Sequence, residues 1–298
     1  MFTHLLVPLD GSKMAEGSLA VASMLCQKLN AVATLIHIIE EDAPQEIHGD
    51  RHLTDEEEAC RYLNDIAEKC FLPDTATCHV HAEKVQDVAK SISEHSGELA
   101  PDLIVMCTHG KSGLRDFMVG SIAQQIIGMG KTPILLVNPQ EGEQEPAQFR
   151  KILVALDGDP AHDASLPVAA ELAEKLGAGL HLLTVVHTLG TLPGERAATG
   201  WMLPGATRAM LDMDVETAHE HLHKLASQWR KKGLSVTTEV LRGDPAQQIV
   251  ASATAVQADL IALATHGKSG MSAFWSSSVG PRVVGASKSP LLLIPVKK

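Results

Sequence analysis

Short runs of strand length recur along the chain at residues 5–9, 32–38, 77–82, 103–107 and 134–137, and again at 152–156, 180–186, 235–241, 260–264 and 291–294. Most are near-continuous Leu, Val and Ile, the pattern of strands buried on both faces. Between them lie segments of helix length. In residues 12–30, Leu19, Ala22, Leu25, Cys26 and Leu29 recur on one face, which predicts one amphipathic helix. Thr54 followed by Glu57 reads as a capping box opening a helix that runs to about Cys70. Residues 215–230 also read as a helix. Residues 188–206, with four glycines and two prolines around Trp201 and Met202, read as a long loop, either a lid or a packing element. Apolar strands alternating with amphipathic helices imply a parallel sheet covered on both faces.

The pattern is written twice. FTHLLVPLDG at the N-terminus returns as FRKILVALDG 147 residues later, and DLIVMCTHGKSG (102–113) returns as DLIALATHGKSG (259–270), with nine of twelve positions identical. The stretch NPQEGEQEPAQ (138–148) between the copies is polar and contains Pro and Gly, as an exposed linker does. The expected organisation is α/β: two doubly wound, Rossmann-like, five-stranded parallel-sheet domains in tandem, at residues 1–140 and 149–298.

Composition narrows the partners. Lys plus Arg total 25 against 36 Asp plus Glu, a formal net charge of -11, which disfavours a phosphate-neutralising surface and hence nucleic acid. No stretch of about 18 uncharged apolar residues occurs, so no membrane span is expected. The N-terminal residues enter the first strand pattern without a basic leader or cleavage site, so the cytoplasm is the expected compartment. Five cysteines, all in the first half and without a C-x-x-C pair, fit a reducing compartment and no disulfide framework.

In doubly wound sheets ligands bind beyond the carboxyl ends of the strands, where the winding reverses. The repeated polar residues cluster there: Asp10 and Gly11 after the first strand, Thr108 to Gly113 after the fourth, and Gly120-Ser121 before the helix expected at 122–128. A Gly admits a ligand to the backbone, and Ser at a helix start offers a hydroxyl beside free amides, which makes an anion site. Lys111 adds a point charge and Asp10 an acceptor for a ribose hydroxyl or an amine. Phosphates at one end and a ribose at the other describe a nucleotide.

These residues resemble the universal stress protein family in its tandem form. The nucleotide-binding branch carries Gly, two residues, Gly, nine residues, then Gly-Ser or Gly-Thr. Here Gly110 and Gly120-Ser121 match, while Cys107 stands in place of the leading Gly. In the second half Ala264 replaces that Gly, Gly267 matches, and Ser277-Ser278 stands where Gly-Ser is expected, so the second site is partly degenerate. The resemblance implies that Asp10 and Asp157, with residues near Ile38 and Val185, hold ribose and adenine. It places cofactor contacts at Pro8, Leu9, Asp10, Ile38, Cys107, His109, Gly110, Lys111, Gly113, Gly120, Ser121 and Ile122, and in the second half at Asp157, Val185, Gly267 and Ser278. The ligand implied is ATP or another adenine nucleotide, with or without magnesium.

No Walker lysine loop, pyrophosphatase-type Ser-Gly-Gly loop or G-x-G-x-x-G after a first strand appears. The expected role is therefore a sensor or regulator with at most slow ATP hydrolysis; the alternative is a nucleotide-free interaction or dimerisation module. The fifth strands, 133–137 and 290–294, are expected to pair within the chain as an intramolecular pseudo-dimer, with a homodimer of chains a further option. Cys107 reads as a small buried hydrophobe rather than a redox thiol, and His219 and His223, four apart on one helix face, as a solvated pair rather than a metal site.

Overall fold

The computed structural model describes residues 2–44, 46–47, 49–108, 121–129, 132–138, 147–158, 163–266 and 279–296. The chain divides into two compact units, one built on Met1–Gln148 with the C-terminal strand, the other on Phe149–Thr265 with the helix preceding that strand.

Unit 1 runs β1 (His4–Pro8), α1 (Lys13–Glu16), α2 (Leu19–Leu29), β2 (Val32–Glu40), a two-residue ladder of β3 (Glu46–Ile47) with β4 (Asp50–Arg51), α3 (Glu56–Cys70), β5 (Ala76–Val85), α4 (Val88–Leu99), β6 (Leu103–Cys107), α5 (Ser121–Met129) and β7 (Ile134–Val137). Its strands stand in the order β5-β2-β1-β6-β7, each neighbour parallel. The winding therefore reverses between β1 and β6, and that gap is where a crevice opens at the carboxyl edge. Leu5, Leu6, Val7, Leu35 and Val105 are fully buried along the central strands.

Unit 2 runs β8 (Lys151–Leu156), α6 (Ser165–Leu176), β9 (Gly179–Val186), α7 (Gly194–Met202), α8 (Pro204–Lys231), β10 (Val236–Arg242), α9 (Pro245–Ala255), β11 (Leu260–His266) and α10 (Val279–Ala286). Its strands stand in the order β10-β9-β8-β11, again parallel. The last strand, β12 (Leu291–Val296), joins unit 1, where it pairs antiparallel with β7 at Leu291↔Leu136, Leu292↔Leu135 and Leu293↔Ile134.

Both copies pin the first strand in the same way. Asp102 accepts from Thr3 N, Thr3 Oγ1 and His4 N, and Asp259 accepts from Arg150 N and Lys151 N. The repeated Asp of the DLI motif is thus a positioning device for the sheet, satisfying amides at a strand start.

Four expectations are corrected. The helix expected over 12–30 is interrupted between Glu16 and Leu19, where Ser18 N and Ser18 Oγ both take up the carbonyl of Ala15, at 3.2 and 2.9 Å, in place of the amide of the next turn. The cap of α3 is Asp55, whose carboxylate accepts from Glu58 N at 3.0 Å, and not Thr54. Residues 188–206 are largely helical: Pro193 caps α7 and Pro204 takes the first turn of α8, so these prolines mark helix starts instead of a loop. In consequence the helix placed at 215–230 begins at Pro204 and spans 28 residues.

Candidate nucleotide cleft

β1 delivers the chain to the crevice in three steps. Leu9 N still bonds to Ile36 O at 2.9 Å; Asp10 then turns back, and its Oδ1 accepts from Ser12 N at 2.9 Å and Ser12 Oγ at 2.6 Å. Ser12 in turn caps α1 by accepting from Ala15 N. Gly11 between them has φ +89°, a conformation that glycine adopts without strain. The Asp10 carboxylate is therefore locked in position, with both bonds drawn by one oxygen.

Around this turn lies a cleft of about 770 Å³, counting the space open to solvent at its mouth. Of the residues singled out from the sequence, Pro8, Leu9, Asp10, Ile38, Cys107 and Ile122 line it together. They come from the ends of β1, β2 and β6 and the first turn of α5. Its walls are mostly apolar, with Ile36, Val88, Ile92 and Met106 completing the floor, which suits a flat aromatic ring. Ser121 is the exposed first residue of α5. His109, Gly110, Lys111, Gly113 and Gly120 lie outside the described residues, as do Gly267 and Ser278 of the second half.

The thiol of Cys107 is pushed up to about 12, first by burial and then by the negative charge of Asp10. It is a protonated packing group at neutral pH. Thr108 beside it is buried and gives its hydroxyl to Asn138 Oδ1 at 2.7 Å, so this member of the repeated block ties β6 to the end of β7.

Two histidines of the cleft were not singled out from the sequence. His37 and His52 both line it and both are nearly fully buried, with rings edge-on at 6.3 Å. His52 belongs to the segment after β4, which the strand and helix patterns left as connection; no local signal marks it. His95, which nothing local connects to the strand, completes a further group between β5 and α4: its Nε2 stands 2.9 Å from His81 Nδ1 and its ring 4.8 Å from that of His79. The i, i+2 spacing of His79 and His81 on one strand face was the available clue. Burial and its two neighbours lower the pKa of His79. Among the described residues no set of three or more His, Cys, Asp or Glu stands in position to hold a metal ion.

Unit 2 has its own cleft at the corresponding edge, about 940 Å³ with its open mouth, and Asp157 and Val185 are among the residues that line it. Its wall is different: α7 and α8 contribute Arg196, Asp214 and His221, and His221 Nε2 pairs with Asp163 at 3.0 Å. The histidine turned inward is thus His221, while His219 and His223 are exposed. Pro281 sits in the first turn of α10, where the missing N–H breaks no helix bond.

Among the described residues no helix is long and apolar enough to cross a membrane. In sequence, the chain is 23% identical over 301 residues to a universal stress protein of Mycolicibacterium smegmatis, covering 97% of this chain and 96% of that one. It is 29% identical over 146 residues to one of Methanocaldococcus jannaschii, covering 49% of this chain and 82% of that one. In structure, a universal stress protein from Archaeoglobus fulgidus superposes with a TM-score of 0.66 at 17% identity, covering 99% of this chain and 97% of that one. The sequence model of the universal stress protein family matches residues 1–138 and again 148–295. Two copies of one Rossmann-like domain, each matched by that model, make this chain a tandem member of the universal stress protein family.

Proposed function

We propose that the first half of the chain binds an adenine nucleotide, ATP or AMP, in the unit 1 cleft, and that occupancy acts as a sensor or regulator in a stress response. The observation that carries this reading is the convergence of Pro8, Leu9, Asp10, Ile38, Cys107 and Ile122 on one crevice at the winding reversal. Both bonds that orient the Asp10 carboxylate use Oδ1, which leaves Oδ2 for a ribose hydroxyl. Ser121 brings a hydroxyl to the start of α5, a helix end where backbone N–H groups lack intrahelical partners, which suits phosphate. Apolar walls from β2 and α4 suit the base.

The reading includes no efficient catalysis. Hydrolysis needs a group that orients an attacking water, and the carboxylate nearest the turn, Asp10, is engaged with Ser12. Equilibrium binding of ATP and AMP to the full chain and to Asp10→Ala and Gly120→Val variants tests the site. Saturable binding weakened at least about tenfold in both variants is expected; undiminished affinity in both would reject it.

One observation favours a second reading, an interaction module. Trp201 and Met202 are 73% and 82% exposed at the end of α7, and Leu203, Met210 and Met213 are exposed just before and along the first part of α8, a concentration of exposed large apolar side chains of the sort found at interaction sites. On that reading no adenine nucleotide shifts the thermal unfolding of the chain, and Trp201→Ser with Met213→Ser alters its association state.

A further inference from the structure

We propose that His37 is carried as an imidazolium cation and latches the segment between β4 and α3 against the unit 1 cleft, so that a ligand held there is released more readily as pH rises. The ligand clause rests on the function proposed above; the latch itself does not.

The geometry is specific. His37 lies in β2 between Ile36 and Ile38 and is 2% exposed. Its Nδ1 stands 2.7 Å from the carbonyl oxygen of Leu9 and its Nε2 3.0 Å from that of Leu53. A backbone carbonyl only accepts, and a neutral imidazole has one N–H. In the neutral ring one of these contacts would set a nitrogen lone pair against an oxygen lone pair in a buried place. Only the doubly protonated ring satisfies both.

What the two bonds join is the cleft and its side wall. Leu9 precedes Asp10. Leu53 sits between β4 and the Asp55 cap, and its side chain lies so close over Gly11 that a Cβ there would come within 2.8 Å of Leu53 Cγ. Asp50 on the same segment accepts from Lys13 N at 2.8 Å, while Ile47 and His52 face the cleft. Of these ties only the His37 pair runs through an imidazole, the side chain that can switch between one N–H donor and two.

The charged groups on the surrounding elements are engaged elsewhere. Asp10 holds Ser12, Asp50 holds Lys13 N, Glu58 of α3 pairs with Arg51, and Glu16 of α1 accepts from Tyr62 of α3. Glu40 ends β2, Cys78 and Val80 are presented by β5, and the His52 ring is edge-on at 6.3 Å. Among the described residues no carboxylate bonds to the His37 ring, so its proton is held by the two carbonyls and the latch opens when it leaves. The second copy of the repeat has Thr184 at this position, with a buried hydroxyl that has no partner; the device belongs to unit 1 alone.

Histidine ring nitrogen NMR on the full chain, from about pH 5.5 to 9, reads the protonation state directly, and hydrogen exchange reads the backbone amides of residues 50–55. We expect both His37 nitrogens protonated at the acid end and exchange protection that falls in step with the loss of the proton. ATP affinity is compared between wild type and His37→Gln at each pH, which cancels the titration of the nucleotide itself. The wild-type advantage is expected to shrink about tenfold across the range, the factor that goes with one hydrogen bond to a charged group. A single neutral tautomer throughout, or protection indifferent to the titration, overturns the latch, and both readouts stand if His37→Gln does not fold. A pH-independent ratio overturns the ligand clause. Failure of ATP to bind at every pH overturns the nucleotide reading and that clause together, while ring titration and exchange still decide the latch.

Discussion

At the scale of single residues, environment decides chemistry that residue type leaves open. Cys107 occupies a strand end beside the cleft, and its identity alone admits either a packing group or a reactive thiol. Burial and the Asp10 charge settle this by raising its pKa to about 12. Treatment with iodoacetamide at about pH 8 is expected to leave Cys107 unmodified in the folded chain and to label it after denaturation, as read by peptide mass spectrometry. Asp244 is the opposite case. It caps α9 by accepting from Gln247 N and forms a paired bond to Arg282 at 2.8 and 2.9 Å; chiefly through Arg282 its pKa is lowered. A depressed folded-state pKa contributes stability that is complete above the unfolded value and lost as pH falls through the folded one. Asp244→Asn is therefore expected to reduce the acid sensitivity of unfolding below about pH 4 and to leave that slope unchanged near neutrality. Because the pair is partly exposed, the effect should shrink in high salt.

Among elements, the ends are where the sequence reading and the structure part. Strands 103–107 and 134–137 coincide with β6 and β7, since both are dense in apolar residues and bounded by polar ones. The α3 cap moved by one residue because Thr54 and Asp55 are both competent caps and only backbone geometry chooses between them. Asp55→Ala is expected to destabilise unit 1 by about 1 kcal/mol in urea unfolding, and Thr54→Ala by markedly less; the reverse order would restore the capping box. The stretch 188–206 misled for a related reason. Gly and Pro were read as loop formers, yet Pro193 and Pro204 stand at helix starts, and Leu192, Leu211 and Ala218 bury a small cluster against Val186 at the end of β9. That cluster is tertiary, so no window of local sequence contains it.

For the molecule as a whole, the repeat predicted two like domains, and the division of the chain into two units with parallel sheets agrees in class. The C-terminal strand is the exception of interest: β12 completes the edge of unit 1 by pairing with β7. Deleting residues 290–298 is expected to leave the apolar strand Ile134–Val137 as an open edge. Such an edge invites strand pairing between chains, so the truncated protein should self-associate in sedimentation velocity at concentrations where the full chain's state is unchanged. A truncated chain that sediments like the full one would count against this.

The amino-acid order alone determined the duplication, the alternation of strand and helix and the doubly wound class, because each is a periodic or repeated signal carried by neighbours in the chain, and it singled out the polar residues that follow the strands. Tertiary structure alone decided that six of those residues share one cleft, that burial and Asp10 raise the pKa of the Cys107 thiol, that His37 bridges two carbonyls and that α7 and α8 wall the second cleft. The physical reason is the same throughout. Burial, charge proximity and hydrogen bonding depend on residues far apart in the chain, and only the folded molecule sets those distances.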